Sequence, residues 1–245
     1  MEIFARTRKG SQMTTNDDYF WIEDLGDFIF VIVCDGAGYK EGIFSIGQIA
    51  ANIIVDYVRR LVPKGPTIKE IASKLSEAVI AASSAFRTLN AVDVKYKDVY
   101  CSMACMVISK LSNEVAYASI GNTEIQLYRN GRFSRMNSLQ TEAHQLLDQG
   151  KIDELDYYVQ VNRNILTSAL GHFDDITFDA FSGKLQDEDI VLIATDGLFA
   201  YRTPDVITTW LAAGNTVHEA VDNVFNNLKE EETPDNTTLM CIFMI

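Results

Sequence analysis

The chain has 245 residues, of which 47% are hydrophobic, and a formal net charge of −13. This length suffices for one sizeable core, and the acidic balance disfavours binding to nucleic acid or to an anionic membrane surface. No apolar run approaches the roughly 20 residues that a membrane helix needs, and the stretch MEIFARTRKG carries no apolar signal core, so we expect a cytoplasmic protein without a membrane segment.

The first half of the chain alternates between apolar runs and helical periodicity. The stretch FIFVIVC (Phe28–Cys34) is continuous, β-branched and aromatic, which predicts a strand buried on both faces. Apolar residues at helical spacing predict a helix from about Phe44 to Leu61. Thr67 and Glu70 then form a capping-box pattern, which predicts the start of a second long helix that runs to about Leu89.

Strands predominate further along. Two of them, Cys101–Ser109 and Glu114–Gly121, are separated by a short polar turn, and a second hairpin turns at Asn130-Gly131. The remaining predicted elements are a short helix from Thr141 to Leu147, strands near Ile176–Phe181 and at Ile190–Thr195, helices that begin at Pro204 and at Thr216, and a closing strand Thr237–Ile245. The polar segment 148–164 is predicted to be a flap. Hairpins combined with helices indicate one layered α+β domain over residues 1–245.

The four cysteines do not form a recognisable metal or disulfide pattern. Cys34, Cys101, Cys105 and Cys241 all lie in apolar segments, form no CxxC pair and have no histidine nearby. We therefore expect buried free thiols in a reducing compartment, and no zinc site.

Three aspartates lie at the ends of predicted strands. Asp35 and Asp196 each follow a buried strand and precede a glycine, and Asp235 comes just before the last strand. Since the end of one antiparallel strand lies beside the start of its neighbour, we expect the three carboxylates to meet at one rim of a sheet. Clustered carboxylates repel each other, and oxygen ligands select Mg²⁺, Mn²⁺ or Ca²⁺. The alternative is that each Asp-Gly pair only makes a turn, and spacing alone leaves both open.

Six segments, taken in chain order, resemble the motifs of the metal-dependent Ser/Thr protein phosphatases of the 2C type, particularly the compact bacterial ones. Each motif is weak by itself, but their order and separation match over nearly the whole chain. The segments are TTNDDYF (Thr14–Phe20), CDGAG (Cys34–Gly38), ASIGNTEIQLYRNGRF (Ala118–Phe133), NILTSALG (Asn164–Gly171), ATDGLF (Ala194–Phe199) and PDNTTLMCIF (Pro234–Phe243).

The resemblance implies a four-layer α-β-β-α sandwich, in which two central antiparallel sheets are flanked by helices. It implies hydrolysis of phosphoserine and phosphothreonine in proteins by a water that two Mn²⁺ or Mg²⁺ ions activate, so a phosphorylated protein is the expected partner. Oligomeric state is not implied. By the same resemblance, Asp35 bridges the two ions and the Gly36 carbonyl binds one of them. Asp196 and Asp235 are implied to bind the other ion. Asp17 and Asp18 match the two acids of the opening motif, which hold metal-bound waters or bind an ion directly.

The chain departs from the family's pattern at three places. Met13 stands where an arginine usually grips the substrate phosphate, so Arg6 and Arg8 are the candidates for this role, against a surface role. Asn122 replaces an aspartate that supports a third ion in bacterial members, so we expect a weak third site. Ala143-His144 replaces an Asp-His pair, which favours a packing or surface role for His144.

These departures leave two functions open. An intact metal centre with altered substrate contacts is compatible with an active phosphatase. It is also compatible with a phosphatase-like domain that binds phosphoprotein with little or no turnover.

Overall fold

The computed structural model describes residues 1–38, 44–61, 65–172, 175–199, 202–229 and 233–245. The strands in these ranges form two five-stranded sheets, in which every named pair of strands is antiparallel. In spatial order, the first sheet contains β1 (Glu2–Arg8), β10 (Thr237–Phe243), β9 (Ile190–Ala194), β6 (Glu124–Arg129) and β7 (Arg132–Arg135). The second contains β2 (Tyr19–Asp24), β3 (Phe28–Ala37), β4 (Tyr100–Ser109), β5 (Glu114–Ile120) and β8 (Asp179–Lys184).

Helices cover the outer faces of both sheets. On the second sheet lie α1 (Ile46–Leu61) and α2 (Ile68–Val92), and on the first sheet lie α6 (Pro204–Leu211) and α7 (Val217–Asn227). Three shorter α-helices, α3 (Glu142–Asp148), α4 (Glu154–Tyr157) and α5 (Asp196–Phe199), and a 3-10 helix, Val94–Tyr96, complete the described helices. The expected four-layer α-β-β-α sandwich of the α+β class is therefore confirmed. No helix in the described ranges is both long and apolar enough to cross a bilayer.

The two faces of β3 show why this strand is apolar throughout. Phe30 and Ile32 pack against the layer of α1 and α2, whereas Val31 and Val33 face the other sheet. All four side chains are at most 1% exposed. A strand that packs against a helix layer on one side and a sheet on the other needs apolar residues at every position, so its pattern is continuous and not alternating.

Local turn and cap chemistry behaves as the residue types predict. Asn130 and Gly131 have φ angles of 52° and 80° and close the hairpin between β6 and β7, as a type I′ turn requires. Thr67 and Glu70 form the expected reciprocal capping box at the start of α2. At α7 the Thr216 hydroxyl accepts from the Glu219 amide, but the Glu219 carboxylate accepts from the Asn215 amide, so this cap is not a reciprocal capping box.

Two strands differ from the prediction by three residues at a boundary. The strand expected near Ile176–Phe181 begins at Asp179, because Ile176 and Phe178 pack against the helix-side core before the ladder with β5 starts. The strand that contains Phe28–Cys34 continues to Ala37, since pairing with β4 persists through Ala37. The four cysteines are buried and free, as expected.

Candidate active site

The three strand-end aspartates converge, although not by the predicted route. Asp196 follows β9 and Asp235 precedes β10, which are neighbouring strands of the first sheet, but Asp35 lies on β3 of the second sheet. The prediction of a single sheet rim was therefore wrong, because strand spacing along the sequence does not reveal which sheet a strand joins. The carboxylates meet at one end of the sandwich instead. All three line a small cavity of about 150 Å³, together with Tyr100 and Asn122.

Two close backbone approaches hold this end of the sandwich together, and both require glycine. A Cβ at Gly36 would lie 2.6 Å from the Gly47 amide nitrogen, and one at Gly197 would overlap the carbonyl oxygen of Asn236. The glycine after each aspartate therefore admits a neighbouring segment and does more than make a turn. The Gly36 carbonyl stays a predicted ion ligand.

Asp18 is a fourth carboxylate of the cluster, close enough to Asp196 and Asp235 to interact with them electrostatically. One of its carboxylate oxygens accepts hydrogen bonds from Thr195 at 2.9 Å and from Thr238 at 2.7 Å, which ties it to β9 and β10. The other oxygen, Oδ1, is buried and has no hydrogen-bond partner in the described part of the chain. A buried carboxylate oxygen without a donor is costly, and a cation is one ligand that removes this cost.

Asp17 has a different environment. Its carboxylate accepts from the Ile46 amide at 3.4 Å and from the Thr15 hydroxyl at 3.3 Å, and its carbonyl accepts from Gly47. These bonds place Asp17 against the first turn of α1. The structure therefore shows Asp17 supporting the loop that carries Asp18.

Burial and mutual repulsion raise the pKa values of the clustered acids. Burial raises the pKa of Asp35 well above its ordinary value, and the other three carboxylates raise it further. The pKa of Asp18 is raised to about 8, mainly by burial and against the lowering effect of its two threonine donors. The pKa of Asp196 is raised to about 6 by burial and by Asp235. Without a cation, these groups do not ionise together at neutral pH.

The donor set fits hard divalent cations. Four carboxylates and two side-chain amides converge there, and no thiol or imidazole lines the cavity among the described residues. Oxygen ligands of this kind suit Mg²⁺ or Mn²⁺. Within the described residues, however, no three His, Cys, Asp or Glu side chains are spaced to hold one ion.

Arg163 is a buried cation behind the site that the sequence analysis missed. Its guanidinium donates to the carbonyl of Phe199 at 2.6 Å and to the carbonyl of Asp196 at 3.4 Å. Its charge lowers the pKa of Asp196. The sequence offered a sign of this role, because Arg163 directly precedes the family-like motif that begins at Asn164. Arg163 was not considered because it lies one residue outside that motif.

The structure does not bring Arg6 and Arg8 to the aspartates. Arg6 forms an ion pair with Asp222 at 2.7 Å, and Arg8 donates to the carbonyls of Phe225 and Leu228. The β1 strand lies beside α7, so both guanidinium groups point to that helix and brace it. The prediction that they grip substrate is corrected accordingly.

His144 is a packing residue and does not lie on the helix surface. It is 6% exposed, its Nδ1 lies 3.3 Å from Arg135, and its ring meets the edge of Tyr157. Burial and the neighbouring Arg135 lower its pKa. This side chain therefore belongs to the base of the segment 148–164 and not to the acidic cavity.

Comparison with known proteins defines the class. The sequence profile of the family protein phosphatase 2C matches residues 6–242. The chain therefore belongs to the protein phosphatase 2C family. The expected family and enzyme class, a protein serine/threonine phosphatase, are thereby confirmed.

Individual relatives are distant in sequence and close in fold. Protein phosphatase PhpP of Streptococcus pneumoniae is 22% identical over 200 residues, which cover 81% of this chain and 79% of that protein. The serine/threonine phosphatase Stp1 of Staphylococcus aureus superposes with a TM-score of 0.84 at 19% identity, over 100% of this chain and 95% of that one. The catalytic domain of the phosphatase PstP, solved with two manganese ions, has a TM-score of 0.75 at 18% identity and covers 98% and 96% of the two chains.

Proposed function

We propose that the chain removes phosphate from phosphoserine and phosphothreonine in proteins, with two Mn²⁺ or Mg²⁺ ions held among Asp35, Asp196 and Asp235. The observation that carries this proposal is the convergence of buried carboxylates from two different sheets, whose pKa values are raised by burial and mutual repulsion. The structure of the PstP catalytic domain, which is similar in fold and contains two manganese ions, supports the choice of cation. The cytoplasmic location expected from the free thiols stays a prediction.

The residues of this chain divide the work. When bound, two divalent cations offset charge on the phosphoryl oxygens and lower the pKa of a water molecule. Asp35 would hold the ions from the second sheet, while Asp196 and Asp235 would hold them from the first sheet. Arg163 holds the backbone of Asp196 and Phe199 from behind, which fixes the start of α5. Asp18 would offer a cation its buried Oδ1, which has no hydrogen-bond partner among the described residues.

One observation favours the alternative function, a phosphatase-like domain that binds phosphoprotein with little or no turnover. Among the described residues that line the acidic cavity, none is Lys or Arg, and Met13 cannot supply a charge-assisted hydrogen bond to phosphate. A site that recruits phosphate through its cations alone is expected to hold substrate weakly. This favours altered substrate handling, with a low-turnover domain that binds phosphoprotein as the alternative.

The test is Mn²⁺-dependent hydrolysis of p-nitrophenyl phosphate and of a phosphopeptide panel. We expect turnover that EDTA removes and that Asp35→Asn or Asp196→Asn each abolishes. Asp187→Asn is the matched control, because Asp187 is exposed near the opposite end of β9. Phosphopeptide binding with bound Mn²⁺ and no turnover would favour the alternative. Failure to bind Mn²⁺ in calorimetry would refute both.

A further inference from the structure

Asn122 makes a direct hydrogen bond to one of the proposed ion ligands. Its side-chain Nδ2 lies 2.8 Å from Oδ2 of Asp196. A carboxylate can only accept, so the group that faces it is the amide NH₂ and not the amide oxygen. A nitrogen that donates to the carboxylate is not available to bind a cation. The amide therefore does not fit the weak third ion expected at this position.

The backbone around Asn122 is held in place independently of any ion. The Ser102 hydroxyl accepts from the backbone amides of Asn122 and Thr123, each at 2.9 Å. Gly121 has a φ of +88°, and a Cβ there would lie 2.5 Å from the Ser102 oxygen. Ser102 itself pairs with Asp35 across β4 and β3. One serine thus joins the strand that carries Asp35 to the turn that carries Asn122.

We infer that Asn122 is a positioning residue for Asp196, and that its amide replaces a third cation in this chain. A donor at 2.8 Å orients the Asp196 carboxylate through its Oδ2. A carboxylate at position 122 would do the opposite, since it would repel Asp196 unless a cation lay between them. The inference rests on the proposed function for the two resident ions.

The experiment counts Mn²⁺ per chain by equilibrium dialysis and measures Tm in EDTA at pH 8. We expect two ions in the wild type and in Asn164→Asp, and three in Asn122→Asp. Asn164 lines the same cavity and is exposed, so this control adds the same charge away from the Asn122 hydrogen bond. In EDTA, Asn122→Asp should melt about 5 °C or more below Asn164→Asp, because a charge-assisted hydrogen bond becomes a repulsion. Added Mn²⁺ should remove that difference.

Three ions in the wild type, or no gain in Asn122→Asp, would overturn the inference. A merely structural asparagine would change Tm without changing the number of ions, so the count separates the two roles. If no variant binds Mn²⁺, the proposed function fails. The EDTA arm then decides the positioning role alone, and equal Tm values for Asn122→Asp and Asn164→Asp would refute it.

Discussion

Asp18→Asn tests the electrostatic account of the site directly. The pKa of Asp18 is raised from 3.8 to about 8, and its Oδ1 is buried without a donor. Asparagine keeps an oxygen that can accept from Thr195 and Thr238, and it removes the charge. We therefore expect the metal-free variant to be more stable than the wild type at neutral pH, which is unusual for a substitution at an active site.

The sign follows from the protons bound by each state. Because its pKa is higher in the folded protein, folded Asp18 holds more protons than unfolded Asp18 between about pH 4 and 8, so stability falls as pH rises through this window. At about 1.4 kcal/mol per pKa unit, the proton that folded Asp18 keeps and unfolded Asp18 releases lowers the free energy of unfolding by at most about 4 kcal/mol between pH 4 and pH 7. This converts to a rise in Tm of about 5–15 °C for the variant.

The assay is thermal unfolding in EDTA from pH 5 to pH 8, repeated with Mn²⁺. The wild-type Tm should fall with pH, and the Tm of Asp18→Asn should fall less. Mn²⁺ should raise the wild-type Tm more than that of the variant, which has lost a charge that favours the cation. Asp187→Asn, at an exposed aspartate, is the control and should follow the wild type. Parallel Tm–pH curves for wild type and Asp18→Asn in EDTA would refute the reasoning.

Three further predictions concern the surroundings of the site. Gly121→Ala should weaken Mn²⁺ binding and lower Tm, because φ is +88° and the new Cβ would contact the Ser102 side chain. The control Gly131→Ala has a similar φ of +80° but open space around the new Cβ, so it should lower Tm only. Calorimetry with Mn²⁺ distinguishes the two variants, and equal Mn²⁺ affinities would contradict this prediction. Arg135→Leu should lower the free energy of unfolding in urea by about 3–5 kcal/mol, because it removes the cation that lies 3.5 Å from Glu124, a carboxylate that is 3% exposed. Adding Glu124→Gln should recover most of this loss, and no recovery would argue against the ion pair. Met13→Arg should lower KM for phosphopeptides without lowering kcat, and an unchanged KM would show that another group already holds the phosphate.

The sequence by itself predicted the features that depend on local interactions. The Asn130-Gly131 hairpin, the capping box at Thr67 and the fully apolar strand from Phe28 follow from interactions within a few residues or from burial on both faces, and the structure contains all three. The order of six short motifs also predicted the family, because each motif is local and their sequence along the chain is directly visible.

Long-range placement was decided only by the tertiary structure. Which sheet Asp35 joins depends on strand partners distant in the chain, so the sequence indicated convergence with Asp196 but not its route between two sheets. The same reason explains why Arg6 and Arg8 brace α7, and why Asn122 donates to Asp196 where an ion was expected. Residue types determined which chemistry was available to this chain, and packing between distant segments decided which atoms meet.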